Sequence, residues 1–434
     1  MDVRQRNELL AQGILDHLEL WPKLTELKTQ KLQFKFEFGL DTLPKQAGLL
    51  VIRGPRQYGK STWLEQQLYQ SCCDYGAGSS FYLNGDELVS AQDFDQALIY
   101  LQQAFNPKAK QKRIFIDEIT TIEDWQRVIK KKIDRGEMQD VLLITTGSKA
   151  KDLRRASERL PGRKGKLAKS DYLFLPVSFR QFYQQTKTVF GENTWIAYLL
   201  SGGSPLACNE LFLHQRIPDY FIQLMRDWII GEIVGGGRSR ILLNNLTKVL
   251  FKYGGQVVGF AKLARETGMA NNTVALGYIE QLADLMSVLP AWPVDPNSLL
   301  LMLRKPAKFH FINLAVAIAL ASAHINQVEV FLKQDPQIQG MHLEWLVAQE
   351  LWRRSVLAKV DDPEQFGFWQ NEEHAIDFVD PQGNFIEVKR GRASSFEFGW
   401  FHKVFPKQHL TVITRTPFDS QFIHGVTIEQ FLLA

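Results

Sequence analysis

A glycine-rich segment between an apolar stretch and a helical pattern constrains the fold of this chain most strongly. It reads Gly54-Pro55-Arg56-Gln57-Tyr58-Gly59-Lys60-Ser61 and is followed by Thr62. Residues 49–52, just before it, are all apolar, which predicts a buried strand. Such glycines let the backbone wrap a chain of phosphates, whose oxygens then face the loop amides and the helix N-terminus. We expect residues 54–62 to bind a nucleotide, with Lys60 on its β- and γ-phosphates and Ser61 as a Mg²⁺ ligand.

Two carboxylates follow a second apolar strand pattern. Residues 114–116 are apolar and end in Asp117 and Glu118. In a parallel sheet this pair lies at the carboxyl edge, beside the phosphate loop. We expect Asp117 to hold Mg²⁺ through water and Glu118 to orient or activate the attacking water. The sequence thus predicts ATP and Mg²⁺ as the cofactors of a hydrolytic site.

Further apolar strand patterns indicate the fold class. They occur at residues 81–83 and 141–144, and helical patterns separate them. Continuous apolar strands alternating with helices predict an α/β fold with a parallel sheet covered on both faces. From residue 176 the pattern is helical until a proline-rich boundary at 290–296, and short strands dominate the end of the chain.

These segments together resemble a prokaryotic AAA-type (AAA+) P-loop ATPase family whose members carry a C-terminal domain known as domain of unknown function 4143. The resemblance covers about residues 45–415. It rests on residues 54–61, 115–119, 146–148, 157–163 and 175–179, and on Trp125.

The resemblance implies a P-loop AAA+ parallel sheet with a helical lid, a winged-helix unit and a C-terminal α/β domain of the restriction-endonuclease-like, PD-(D/E)xK type. The expected parts are a helical lead-in at 1–45, the ATPase core at 46–180, the lid at 181–240, a winged-helix-like domain at 241–298 and a nuclease-like domain at 299–434.

The resemblance also implies roles for three further residues. Thr146 and Ser148, at the end of the third strand pattern, are candidate sensors of the γ-phosphate, and a turn that only caps the strand is the alternative. Arg163 is a candidate arginine finger, which would stabilise transition-state charge on the γ-phosphate of a neighbouring subunit. That role requires a homo-oligomer, such as a ring. Alternatively, Arg163 belongs only to the basic cluster around it.

The net charge of +4 hides an uneven distribution of charged residues. Residues 107–169 hold 18 Lys/Arg against 9 Asp/Glu, which exceeds the surplus of the whole chain. Within it, residues 149–169 hold nine Lys/Arg against Asp152 and Glu158, a density that suits a phosphate backbone and makes affinity depend on salt, so DNA is the predicted partner. A solvated, flexible loop is the alternative. The candidate DNA contacts are Lys149, Lys151, Arg154, Arg155, Lys164 and Lys166.

Residues 261–274 have the spacing of two helices joined by a glycine turn at Gly268. Asn271 or Asn272 is the expected cap of the second helix. The segment resembles the winged-helix unit of the same family. Residues 266–303 contain no Lys or Arg, whereas a recognition helix normally needs cationic phosphate anchors. We therefore expect a structural or subunit-packing role.

Near the C-terminus, two carboxylates and a lysine are spaced to meet on one face of a hairpin. If the connection spans residues 380–384, Asp377 pairs opposite Glu387, and Lys389 joins them two residues later. This is the core pattern of the PD-(D/E)xK nuclease fold, in which carboxylates bind Mg²⁺ and a lysine positions the nucleophile. Glu344 is a further candidate metal ligand.

The chain departs from the family at three positions near this pattern. Members often have an acid where Ala375 stands, a basic residue where Gln370 stands, and an Asp where Asn313 stands. The first two departures bear on metal affinity and substrate contact. A nuclease-like fold that binds DNA, or simply packs, without cleaving it is the alternative to an active nuclease.

The leading functional interpretation is a Mg²⁺-dependent ATPase that moves or remodels DNA in repair, recombination or defence, with branched DNA among the candidate substrates and a nuclease-like domain that binds DNA. One alternative is a nucleotide-dependent signalling switch that acts on a protein partner and carries a catalytically dead nuclease-like domain. A second alternative is a nuclease whose nucleotide binding only regulates assembly.

The three cysteines lack C-x-x-C spacing, which argues against a zinc site or a disulfide framework. The charged N-terminus lacks an apolar signal core, and the longest apolar stretch, 315–323, is about half a bilayer span. The sequence favours a soluble cytoplasmic protein without a membrane partner.

Overall fold

The computed structural model describes residues 1–147, 165–360 and 362–434. The chain divides into two compact units, Met1–Leu175 and Pro176–Ala434. Within the described residues, no helix combines the length and the apolar character that crossing a membrane requires.

A five-stranded parallel sheet forms the centre of the first unit. Its strands are β1 (Gly48–Arg53), β2 (Ser80–Asn84), β3 (Lys112–Asp117), β4 (Val141–Gly147) and β5 (Asp171–Leu173). They are ordered β2-β3-β4-β1-β5, and every neighbouring pair is parallel. Leu49, Leu50, Val51 and Ile52 are fully buried, as the continuous apolar pattern predicts. The predicted parallel α/β sheet is confirmed.

Helices cover this sheet and precede it. They are α1 (Val3–Gln12), α2 (Pro22–Thr29), α3 (Lys60–Tyr75), α4 (Ala91–Ala104) and α5 (Trp125–Asp134). The Asp2 side chain caps α1 by accepting the backbone N–H of Gln5. Buried Arg6 of α1 forms an ion pair with Glu65 of α3, with 3.0 Å between Nη2 and Oε2. The residues before the sheet are therefore packed on it.

The second unit begins with helices. They are α6 (Phe179–Phe190), α7 (Thr194–Ser201), α8 (Pro205–His214), α9 (Asp219–Gly235), α10 (Arg240–Lys252), α11 (Phe260–Thr267) and α12 (Asn272–Asp284). Later in the chain follow α13 (Leu314–Leu320), α14 (Val328–Leu332), α15 (Pro336–Leu357), α16 (Phe401–Val404) and α17 (Ile428–Leu433). Helix α15 contributes Trp345 and Trp352 to the core and packs against two strands of the sheet described next.

An eight-stranded mixed sheet organises the second unit. Its strands are β6 (Val288–Pro293), β7 (Lys308–Phe311), β8 (Phe366–Gln370), β9 (Ala375–Val379), β10 (Phe385–Val388), β11 (Leu410–Ile413), β12 (Phe418–Asp419) and β13 (Ile423–Val426). The order is β12-β13-β11-β10-β9-β8-β6-β7. An apolar cluster that includes Trp369, Phe385, Phe401 and Phe405 packs on it.

The predicted helix pair is present as α11 and α12. Gly268 ends α11 with φ +76°, and the Asn271 side chain caps α12 by accepting the N–H of Val274. The next strand, β6, lies between β8 and β7 in the eight-stranded sheet. The domain boundary that the sequence predicts near residue 298 would therefore place β6 in one domain and the other strands of its sheet in another.

Candidate functional site

The phosphate-binding loop connects β1 to α3 and depends on a glycine at its last turn. Gly59 precedes α3 with φ +93°, a conformation that residues with a side chain rarely adopt. A Cβ atom at this position would lie 2.5 Å from the ring of Phe36. Phe36 therefore packs directly on the loop, a contact that no local pattern in the sequence indicates.

Lys60, the first residue of α3, directs its side chain back into the loop. Its ammonium donates hydrogen bonds to the carbonyl oxygens of Gly54, at 2.8 Å, and Pro55, at 2.7 Å. Only 5% of Lys60 is exposed. The loop thus holds a buried positive charge at a helix N-terminus, an arrangement that suits phosphate oxygens.

Asp117, Ser61 and Thr146 form a hydrogen-bonded group beside the loop. The Thr146 hydroxyl donates to Asp117 Oδ1, and the Ser61 hydroxyl also bonds this carboxylate. Burial raises the pKa of Asp117, while the hydrogen bonds from Thr146 and Ser61 act in the opposite direction. A carboxylate and a hydroxyl are oxygen ligands of the type that Mg²⁺ prefers, so these residues fit the predicted ion.

Glu118 follows Asp117 in an uncommon backbone conformation. Its φ is +48°, in the left-handed region that residues other than glycine seldom occupy. The Glu118 N–H donates to Thr146 Oγ1 at 3.2 Å. Thr146 therefore contacts both acidic residues, one through its hydroxyl proton and the other through its oxygen.

The strand order explains this meeting. Strand β4 lies between β1, which leads into the loop, and β3, which ends in Asp117. Thr146 pairs with Ile52 of β1, two residues before Gly54. The sheet therefore brings Lys60, Ser61, Asp117, Glu118 and Thr146 to one edge, as the sequence predicts.

Several predicted residues lie outside the described part of the chain. They are Ser148, Lys149, Lys151, Arg154, Arg155, Arg163 and Lys164. Lys166 is described and exposed.

The second set of predicted residues meets in the eight-stranded sheet. Phe385 pairs with Val379 and Ile386 with Phe378, so the register places Glu387 next to Asp377. The Asp377 N–H donates to Glu387 Oε2 at 3.1 Å. Lys389 Nζ lies 2.6 Å from Glu387 Oε1.

A lysine that the sequence reasoning missed lies among these carboxylates. Lys308, on β7, places its ammonium 2.8 Å from Asp377 Oδ1 and 3.8 Å from Glu344 Oε1. His310, two residues along the same strand, has Nδ1 3.6 Å from Glu344 Oε1. We call Lys308, Glu344, Asp377, Glu387 and Lys389 the carboxylate cluster.

The cluster shifts the pKa values of its members in opposite directions. Burial raises the pKa of Glu344 and of Glu387, and the Asp377 charge adds to both shifts. Burial also acts to raise the pKa of Asp377, but Lys308, the Val388 N–H and Lys389 together outweigh it and keep that pKa below its ordinary value. Burial lowers the pKa of His310 to about 3, so this imidazole is neutral.

A sequence signal for Lys308 and His310 exists in retrospect. They alternate with phenylalanines in Lys308-Phe309-His310-Phe311, and alternate residues of a strand share a face. Two polar residues on one face of a buried strand indicate a polar cluster. Within the described ranges, no group of three or more His, Cys, Asp or Glu residues is arranged to hold a metal ion.

One part of the chain is similar to a known protein family. Residues 46–183 match a family model described as an AAA domain. No curated protein matches the sequence.

Several solved structures are distantly similar to this chain. The Walker-type ATPase paby2304 of Pyrococcus abyssi is 14% identical, with a TM-score of 0.44, and the match covers 72% of this chain and 97% of that one. The Orc2 protein of Aeropyrum pernix is 12% identical, with a TM-score of 0.36 and coverages of 66% and 86%. The Aeropyrum pernix Orc1 protein in complex with DNA is 13% identical, with a TM-score of 0.33 and coverages of 73% and 91%.

Proposed function

We propose that this chain, which contains an AAA-type P-loop ATPase domain over residues 46–183, is a Mg²⁺-dependent ATPase that acts on DNA. The observation that carries the ATPase part is the meeting of Lys60, Asp117 and Glu118 at one sheet edge, where Thr146 bonds both acidic residues. A positive charge for phosphates and two carboxylates for the ion and the water are the parts that phosphoryl transfer requires.

Each residue has a distinct task in this proposal. The loop amides and the Lys60 ammonium bind the β- and γ-phosphates, and Ser61 with Asp117 would hold Mg²⁺. Bound Mg²⁺ neutralises negative charge on the phosphates. Glu118 orients the attacking water. The Thr146 oxygen fixes the backbone of Glu118 by accepting the Glu118 N–H at 3.2 Å. The reaction is hydrolysis of ATP to ADP and phosphate.

The DNA part rests on charge and on one exposed aromatic residue. Residues 107–169 hold 18 basic and 9 acidic side chains. In the second unit, Arg390 and Arg392 are exposed in the loop after β10, and Phe396 in the same loop is 93% exposed. Exposed basic side chains and an exposed aromatic ring within one short segment, residues 390–396, suit a phosphate backbone with stacked bases.

The test is ATP turnover measured without DNA and with single-stranded, duplex and branched DNA, at about 50 and 200 mM salt. We expect DNA to raise turnover several-fold at low salt and less at high salt. Lys60→Ala should abolish hydrolysis, whereas Lys28→Ala, an exposed lysine on α2, should not change it. Normal turnover in Lys60→Ala would refute the site, and absence of DNA binding at low salt would refute the DNA part.

A protein partner is the second candidate, and one surface favours it. Leu300, Met302 and Leu303 are 70%, 36% and 57% exposed, and they lie at the end of the segment 266–303, which lacks Lys and Arg. An exposed apolar strip of this kind suits a protein partner, and exposed Arg304 and Lys305 follow it directly. This function, a nucleotide-dependent switch, predicts ATPase activity that does not respond to any of the three DNAs.

A further inference from the structure

Each carboxylate oxygen of Asp377 and Glu387 already accepts a hydrogen bond from within the second unit. Asp377 Oδ1 accepts from Lys308 at 2.8 Å, and its Oδ2 accepts from the Val388 N–H at 2.9 Å. Glu387 Oε2 accepts from the Asp377 N–H at 3.1 Å, and its Oε1 lies 2.6 Å from Lys389 Nζ. A metal ion bound here would have to share each of these oxygens with a donor that already bonds it.

Lys308 is the most deeply placed cation of the cluster. Its side chain is 5% exposed, compared with 43% for Lys389. It approaches from β7, while Asp377 lies on β9 and Glu344 on α15, so three elements converge on one ammonium. On the other side, a Cβ atom at Gly255 would lie 2.7 Å from Glu344 Oε2, so backbone closes this face of the cluster.

We propose that Lys308 is the resident cation of the carboxylate cluster and that its ammonium takes the place of a divalent metal among Glu344, Asp377 and Glu387. Carboxylate oxygens are the ligand type that Mg²⁺ prefers, but the Lys308 ammonium already lies 2.8 Å from Asp377 Oδ1 and would repel a dication placed on the same carboxylates. The cluster thus takes its two positive charges from the covalently attached ammonium groups of Lys308 and Lys389. The proposal is independent of the ATPase function, which belongs to the other unit.

Removal of the Lys308 ammonium should have an effect that removal of a partner from an ordinary ion pair does not have. Removing the ammonium while keeping the aliphatic stem leaves buried carboxylates without their cation, which destabilises the unit. The same change frees an oxygen-lined position for a divalent ion. Lys308→Met should therefore create a metal site that the natural chain lacks.

The experiment measures Mn²⁺ binding to the full chain without nucleotide, by calorimetry and by the spin-resonance signal of free Mn²⁺. Four proteins are compared: the natural chain, Lys308→Met, the double variant Lys308→Met with Asp377→Asn, and Asp377→Asn alone. Lys333→Met, an exposed lysine outside the cluster, is the matched control. Binding that disappears with Asp377→Asn is assigned to the cluster, which separates it from any binding at the phosphate loop.

We expect cluster binding of Mn²⁺ in Lys308→Met to be at least ten-fold tighter than in the natural chain. Mn²⁺ should also raise the unfolding temperature of Lys308→Met and leave that of Lys333→Met unchanged. A folded Lys308→Met that gains no cluster binding would overturn the proposal. If Lys308→Met does not fold, the natural chain decides: cluster binding lost on Asp377→Asn overturns the proposal, and no such binding supports it.

Discussion

At the scale of single residues, Thr146 has a larger role than a strand-end threonine ordinarily has. Its hydroxyl donates to Asp117, and its oxygen accepts the N–H of Glu118. One side chain therefore contacts both the carboxylate that is proposed to hold the ion and the backbone of the residue that is proposed to orient the water. Loss of the hydroxyl should affect the chemical step more than the binding of nucleotide.

We predict that Thr146→Val, which keeps the shape of the side chain, lowers kcat for ATP hydrolysis by about 10- to 100-fold. This range corresponds to the loss of a hydrogen bond to a charged group, about 1.5–3 kcal/mol. Nucleotide affinity, measured by fluorescence titration, should change only a few-fold, because Lys60 and the loop remain intact.

Thr145→Val is the matched control for this prediction. Thr145 precedes Thr146 on β4, is equally buried, and donates to the Leu50 carbonyl rather than to an acidic residue. Its loss should lower stability and leave kcat within a few-fold of the natural value. Equal effects of the two variants on kcat would contradict the assignment of Thr146.

At the scale of helices and strands, Glu65 of α3 links the N-terminal helices α1 and α2 to the helix that follows the phosphate loop. Its carboxylate accepts from Arg6 of α1 at 3.0 Å and from the backbone N–H of Leu24 in α2 at 2.9 Å. Arg6 also lies over the ring of Tyr82, 4.2 Å from its centroid. Breaking such a buried ion pair leaves one buried charge without its partner.

We predict that Glu65→Gln lowers the free energy of unfolding of the first unit by about 3 kcal/mol, because Arg6 stays buried without its counter-charge. Urea denaturation followed by tryptophan fluorescence measures the change. Breaking the exposed pair of Arg4 and Glu8 on the same helix, by Glu8→Gln, should cost less than about 0.5 kcal/mol. A Glu65→Gln chain as stable as Glu8→Gln would contradict the prediction.

Some of these contacts are predictable from the sequence and others are not, and the reason is physical. The loop, the β3 acids and Thr146 were predictable because each follows a local strand pattern, and a parallel sheet brings such strand ends together. The Asp377–Glu387 pairing was predictable from the length of a hairpin connection. Arg6 with Glu65, and Lys308 with Asp377, are 59 and 69 positions apart, so their contacts depend on packing that no local pattern encodes.

At the scale of the whole molecule, the predicted arginine finger would make ATP hydrolysis a property of an assembly. Arg163 lies outside the described residues, and its role rests on the resemblance of its segment to the AAA+ family. If it acts on a neighbouring subunit, each active site combines Lys60 of one chain with Arg163 of another.

We predict that Arg163→Ala and Lys60→Ala are each inactive alone but regain ATP turnover when mixed. In a mixed assembly, an intact loop from the Arg163→Ala chain can meet an intact arginine from the Lys60→Ala chain. Turnover is measured across mixing ratios, together with the molecular mass of the assembly by light scattering. Two folded variants that co-assemble and regain no activity at any ratio would argue against action between subunits.

The position of β6 limits how the second unit can be divided. Strand β7, which carries Lys308, is an edge strand that joins the sheet through β6, and β6 directly follows the helix pair α11 and α12. A fragment beginning at residue 299 would leave β7 without its neighbour and β8 with an open edge, which invites aggregation. A gene fusion that replaces residues 241–298 must therefore rebuild β6 for the eight-stranded sheet.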